Sequence, residues 1–223
     1  RKQGRKVGQQ GLKFEVRGCF YRLGGYPMRS RLDITRVDGA ATEPDLVLVM
    51  MNPGSSRPLP AADTPGERGA PNPAAPAATA PQMAKPDNTQ FQIMRLMQAT
   101  GRQCARLLNL SDLQTSNSAE LYRFLASTDA GRIAHSIFSP ARSEELAASL
   151  PPDVPVVYAW GVNPALMPLA RVATQALSVP QPAGLRKPGT DPAYYHPLPP
   201  VYARQVAWVR RVAAQLCRQP LPG

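Results

Sequence analysis

Pro44-Asp45-Leu46-Val47-Leu48-Val49-Met50-Met51-Asn52-Pro53-Gly54 is the stretch that decides the fold. Six apolar side chains follow one another between a Pro-Asp start and an Asn-Pro-Gly stop. A strand sends successive side chains to opposite faces, so an uninterrupted apolar run predicts a strand covered on both sides. Such strands belong to parallel sheets with helices above and below. The segment Asn52-Pro53-Gly54-Ser55-Ser56 then reads as a tight turn that exposes backbone at the strand's carboxyl end.

Upstream, Phe14–Leu23 and Arg31–Val37 flank Gly24-Gly25-Tyr26-Pro27 in the pattern of a β-hairpin. Residues 1–12 read as a disordered basic tail. Downstream, residues 57–86 hold eight prolines and nine alanines with almost no large apolar side chains, which predicts a long flexible surface loop. Asp87-Asn88-Thr89 then caps a helix whose apolar face is Phe91, Ile93, Met94, Leu96 and Met97, and Gly101 stops it. Further strands are expected over 105–110 and 154–161, with helices over 118–125, 139–150 and 163–177. A short extended segment at 193–196 precedes a last helix over 201–217. The alternation predicts an α/β fold: a three-layer αβα sandwich with a small central parallel sheet, preceded by the N-terminal β-hairpin. One domain over residues 13–223 accommodates it.

Lys and Arg total 26 against 15 Asp and Glu, a net charge of +11. That excess favours a polyanionic partner, because each neutralised phosphate releases counterions. Cys19, Cys104 and Cys217 are far apart and form no CxxC pair, which argues against a zinc site, an iron–sulfur cluster or a disulfide framework. A reducing cytoplasm is the expected compartment. There is no run of about 18 apolar residues of the kind that spans a membrane.

In a parallel sheet, ligands bind beyond the carboxyl ends of the strands. Asn52, Asn109, Gly161 and His196 fall at those ends and converge on one rim. Each has an ordinary structural role open to it, as a turn residue, a loop tie or a hydrogen-bonded histidine. Their convergence is the stronger signal.

Taken in order, these segments resemble the uracil-DNA glycosylase superfamily. Met50-Met51-Asn52-Pro53-Gly54-Ser55-Ser56 is similar to G-I-N-P-G-x-S, the first motif of the mismatch-specific thymine/uracil branch. Leu107-Leu108-Asn109 resembles the L-L-N strand, and Val156-Val157-Tyr158-Ala159-Trp160-Gly161 resembles V-x-x-L-W-G. His196-Pro197-Leu198-Pro199 resembles the second catalytic motif, H-P-S-P. The likeness spans roughly residues 45–210. The chain is also similar to a bacterial family of unknown function with M-L-N-P-S, N-L and H-P-L segments.

The resemblance implies a DNA glycosylase acting on a flipped pyrimidine-type base, in double-stranded or single-stranded DNA, with no cofactor, metal or obligate protein partner. Asn52 would position the attacking water, and His196 would donate to pyrimidine O2 as negative charge develops on the departing base. Asn109 would read the Watson–Crick edge, with Pro53, Gly54 and Phe91 completing the base site. Expected DNA contacts are Ser55, Ser56, Arg186, Lys187, Pro199, Arg204 and Arg211, the last two on the row Arg204, Arg211, Arg218 of the final helix. No Lys lies in the motifs to form a Schiff base, so hydrolysis to an abasic site is implied.

Three departures carry information. The best-known branch has Asp where Asn52 stands and Tyr where Gly54 stands. That Tyr crowds out 5-substituted pyrimidines, so Gly54 implies a pocket open to thymine-like or bulkier bases, including hypermodified cytosines of phage DNA. No aromatic residue lies between Gly54 and Gln90, where the family places a stacking Phe; Phe91, Tyr194 and Tyr195 are the candidates to replace it. Pro200 replaces the Leu that wedges into the duplex, with Val201 or Tyr202 next in line. Asp87 and Asp112 lie near the rim, and either is a candidate for the missing carboxylate. Two other functions fit the same features: a non-catalytic nucleic-acid binding module, and a hydrolase of free nucleosides or nucleotides.

Overall fold

Gly24 and Gly25 both adopt left-handed backbone, with φ of 58° and 81°. A two-residue hairpin turn needs that geometry to match the right-handed twist of its strands. They join β1 (Phe14–Leu23) to β2 (Tyr26–Arg36), with Leu23 opposite Tyr26. The structure, a computed structural model, describes residues 14–59 and 80–218, so the expected tail over 1–12 lies outside the described residues.

The remaining elements follow in order. β3 (Leu46–Met50), β4 (Arg57–Pro58) and β5 (Gln82–Lys85) precede α1 (Asn88–Thr100) and β6 (Cys104–Asn109). Then come α2 (Ser118–Leu125), α3 (Thr128–Arg132), α4 (Ser143–Ser149), β7 (Val156–Tyr158), α5 (Met167–Leu177) and α6 (Tyr202–Leu216). The sheet has seven strands in the order β4-β5-β1-β2-β6-β3-β7. Only β6-β3-β7 is parallel; every other pairing is antiparallel.

The α/β class holds, but the expected small parallel sheet is one end of a larger mixed sheet. The hairpin does not merely precede it. β2 pairs with β6 from Leu32 opposite Leu107 to Thr35 opposite Cys104, so the hairpin covers an edge that would otherwise expose unpaired N–H and C=O groups. The loop expected over 57–86 is corrected at both ends. Arg57–Pro58 and Gln82–Lys85 pair with each other, and Arg17 sits opposite Met83, which extends the sheet beyond β1. Backbone pairing serves a sheet edge whatever the side chains, and Pro58 is tolerated because its strand is the outermost.

Strand periodicity divides the core into two layers. Leu46, Leu48 and Met50 pack with Ile93, Met97, Trp208 and Val212 from α1 and α6. Val47 and Val49 pack on the other face with Leu121, Phe124, Leu146 and Met167, from α2, α4 and α5. The three layers expected from sequence are therefore present. α1 is closed at both ends: Asp87 Oδ1 accepts from Gln90 N–H at 3.0 Å, Gln90 Oε1 accepts from Asp87 N–H at 3.2 Å, and Gly101 takes left-handed backbone with φ 72°. Among the described residues, no helix is long and apolar enough to cross a membrane.

Candidate active site

β3 and β6 run in parallel with Met50 opposite Asn109, so the residues that end these strands leave the sheet on one rim. β2 runs the other way, and its beginning reaches the same rim, where Arg29 N–H donates to the Asp112 carbonyl at 2.9 Å. The start of α1 lies there too. On the remaining side the His196 segment is tied to α6 by two bonds, and α6 to α1 by a third. Trp208 Nε1 donates to Tyr195 O at 3.0 Å, Gln205 Nε2 to Pro199 O at 2.8 Å, and Gln92 Nε2 of α1 to Gln205 O at 2.7 Å. Together these elements line a cavity of about 160 Å3. A cavity of about 150 Å3 holds benzene, so the size suits a single six-membered ring.

Five expected site residues, Asn52, Pro53, Gly54, Asn109 and His196, line this cavity. Asn109 is fully buried, and neither its Oδ1 nor its Nδ2 has a hydrogen-bond partner. Leaving a buried polar group unpaired costs about 1–3 kcal/mol, a cost that a ligand with a matching donor–acceptor edge removes. Asn52 Nδ2 donates to Leu113 O at 3.2 Å and Thr115 O at 2.7 Å. With both amide hydrogens committed, Oδ1 is the atom left to receive a hydrogen bond from water or ligand. His196 Nδ1 accepts from Leu198 N–H at 3.2 Å, which places the proton of the neutral ring on Nε2. Burial pushes the His196 imidazole down to about 4, against the opposite pull of Asp87, so the ring is neutral at pH 7. It is a hydrogen-bond donor there, not an acid.

Asp87 joins the group. Its Oδ1 caps α1, and its Oδ2 lies 2.8 Å from where a Cβ on Gly54 would stand. The room beside Gly54 is therefore not empty but occupied by a carboxylate oxygen. Gly54 itself has φ of 69°, a conformation that a side chain disfavours. Asp112, the other candidate carboxylate, is fully buried and bound by Tyr21 Oη at 2.6 Å and Arg142 Nη1 at 2.7 Å. It does not line the cavity.

Other expectations are corrected. Phe91, on α1, packs against the core and does not line the cavity. Its position follows the apolar stripe of the helix, which turns toward the sheet. Tyr194 is taken up by edge-on contacts with Tyr158 and Trp160, at 5.3 and 5.4 Å between ring centres. Met50, Met51 and Leu107 form the apolar walls instead. Ser56 is buried with its Oγ donating to Lys85 O at 3.1 Å, so it cannot touch DNA as expected; the β4–β5 pairing drew it inward. Ser55 is exposed. Arg204 and Arg211 are exposed on α6, and Arg186 is exposed but paired with Asp191 at 2.9 Å. Lys187 and Pro199 are partly buried, and the Pro199 carbonyl is taken by Gln205. Val201 and Tyr202, at 51% and 67% exposure, are exposed apolar residues at the start of α6.

Arg29 lines the cavity and sequence reasoning missed it. Within the hairpin it reads as one more polar strand residue; only the insertion of β2 beside β6 brings it to the rim. Among the described residues, no group of three His, Cys, Asp or Glu side chains is placed to hold a metal ion. No family model, no curated protein and no solved structure matches the chain.

The two histidines make stability fall with acid. His135, buried with its Nδ1 3.0 Å from Ser111 Oγ, is pushed down to about 4 by burial and by Arg142, as His196 is by burial. A histidine whose folded value lies below its unfolded one takes up its proton more readily when unfolded. Stability is thus full above about pH 6.5 and drains away as pH falls to about 4, by up to about 3 kcal/mol per histidine. Burial raises Asp112, which opposes part of this slope. Urea midpoints between pH 7 and 4 will show the fall, and His135→Asn with His196→Asn will flatten it.

Proposed function

We propose that this protein is a monofunctional DNA glycosylase that hydrolyses the N-glycosidic bond of a flipped, 5-substituted or otherwise modified pyrimidine. The observation that carries the reading is Asn109, fully buried with an unpaired amide in a cavity sized for one ring. An amide offers a donor and an acceptor side by side, the complement of the N3–O4 edge of uracil or thymine and of the N3–N4 edge of cytosine.

The reaction follows from the side chains around it. The C1′–N1 bond breaks with its electron pair leaving on the base, while a water oxygen bonds to C1′. Asn52 Oδ1 orients that water, and the Asp87 carboxylate takes its proton, the task an amide cannot perform. Neutral His196 donates through Nε2 to pyrimidine O2 as charge gathers there. Met50 and Met51 press on the ring faces in place of an aromatic residue. Arg204 and Arg211 grip phosphates, and Val201 with Tyr202 fills the vacated stack.

The carboxylate beside Gly54 sharpens the choice of base. A 5-substituent that reaches toward Gly54 meets Asp87 Oδ2, so a donating hydroxymethyl group is favoured over methyl. A panel of duplexes carrying uracil, mismatched thymine and hydroxymethylated or glucosylated cytosine tests this. Release of hydroxymethylated base ahead of thymine is expected; release of uracil alone would remove the 5-substituent from the proposal. The competing reading, a binding module without chemistry, draws on the lack of an aromatic residue other than His196 in the cavity lining.

A further inference from the structure

Arg29 is 1% exposed, yet its guanidinium is largely unused. Nη1 donates to the Pro53 carbonyl at 3.1 Å, and Nε has no partner. Other buried arginines are compensated: Arg106 pairs with Asp33 at 2.8 Å and Arg142 with Asp112 at 2.7 Å. Arg102 shares the low exposure and donates to Asp45 O, but it does not line the cavity. Arg29 alone among them borders it, beside Asn109 and Asp87. Burial lowers Arg29 to about 10, with Asp87 and Asp112 pulling upward, so it is a cation at neutral pH. A buried charge without a close counter-charge costs several kcal/mol, and a neutral base does not repay that.

We propose that the cavity binds a negatively charged pyrimidine ring and that Arg29 is the residue that selects for the charge. The charge has two possible sources, a carboxyl substituent on the ring or ionisation of the ring itself. An ionised ring is also what the base becomes as it departs. That the ligand is a pyrimidine rests on the glycosylase reading; that it is anionic rests on Arg29. A guanidinium satisfies an anion with two parallel N–H bonds, stronger than those it makes to a neutral carbonyl.

The test is calorimetric binding of free bases to the full chain at neutral pH. The probes are uracil and thymine, which are neutral, 5-carboxyuracil and 6-carboxyuracil, and 5-nitrouracil, whose ring is ionised at that pH. At least one anionic probe is expected to bind about tenfold or more tighter than uracil and thymine. A carboxyuracil alone assigns the charge to a substituent, and 5-nitrouracil alone assigns it to the ring. Arg29→Gln should abolish the preference and Arg29→Lys keep part of it. If the Gln variant does not fold, the wild type serves: 5-nitrouracil should lose its advantage as pH falls and its ring takes up a proton, while uracil binding stays level over the same range. Equal affinity for neutral and anionic probes, no binding of any probe at millimolar concentration, or a preference indifferent to both substitutions overturns the inference. Anion selectivity without base release would refute the glycosylase reading and leave this one standing. Base release without anion selectivity would do the reverse.

Discussion

Asp87→Asn will slow base release by about 10²–10⁴-fold, the contribution of a positioned proton acceptor, while leaving the fold intact. Asparagine caps helices about as well as aspartate, so the bond from Gln90 N–H that starts α1 survives the change. What disappears is the charge and basicity of Oδ2, the oxygen beside Gly54. In the proposed mechanism Asn52 then still orients a water through Oδ1, but no group on that wall takes its proton. Single-turnover abasic-site formation measures the loss, and an unchanged melting temperature shows that it is chemical. A variant with wild-type turnover would confine Asp87 to helix capping.

Arg142→Met will destabilise the protein by about 3–5 kcal/mol, enough to lower Tm by about 10 °C or more. Arg142 joins two parts of the chain: its Nη1 meets Asp112 at 2.7 Å, and its Nε meets Glu145 at 2.9 Å. Burial disfavours its charge, but Asp112 and Glu145 outweigh that and raise it. Without it the fully buried Asp112 keeps only a hydroxyl partner, Tyr21, for a charge removed from water. Asp112→Asn added to Arg142→Met removes the stranded charge and should recover much of the loss. Thermal melting of both variants decides it. If the single variant melts as the wild type does, the pair is not a structural anchor. Because Asp112 also receives the Arg29 backbone N–H, the anchor fixes the wall of the cavity as well as the core.

These residues also show what the chain reveals before it folds. The apolar run at Leu46–Met50 needed only strand periodicity to be read, because a strand buried on both faces leaves no polar side to mask the pattern. Asn52, Asn109 and His196 were legible because each follows or ends a recognisable element, and the carboxyl ends of β3 and β6 share a rim. Asp87 was legible as a cap but not as a wall of the cavity, since that depends on where α1 begins in space. Arg29 gave no signal. Its placement depends on β2 pairing with β6, a contact between segments some 70 residues apart that neither local pattern specifies. A different pairing, β4 with β5, turned Ser56 inward and drew the ends of the 57–86 segment into the sheet. Phe91 failed in the opposite way: a helical apolar stripe is built to face a core, and here it does.

The measurement that reaches the central claim most directly is abasic-site formation on DNA carrying the modified pyrimidines, with wild type beside Asn52→Ala and His196→Ala. Alkali-labile breaks are expected on a 5-substituted pyrimidine, reduced by about 10²-fold or more in each variant. Intact DNA on every substrate, with tight salt-dependent binding retained, would contradict it and leave a nucleic-acid binding module.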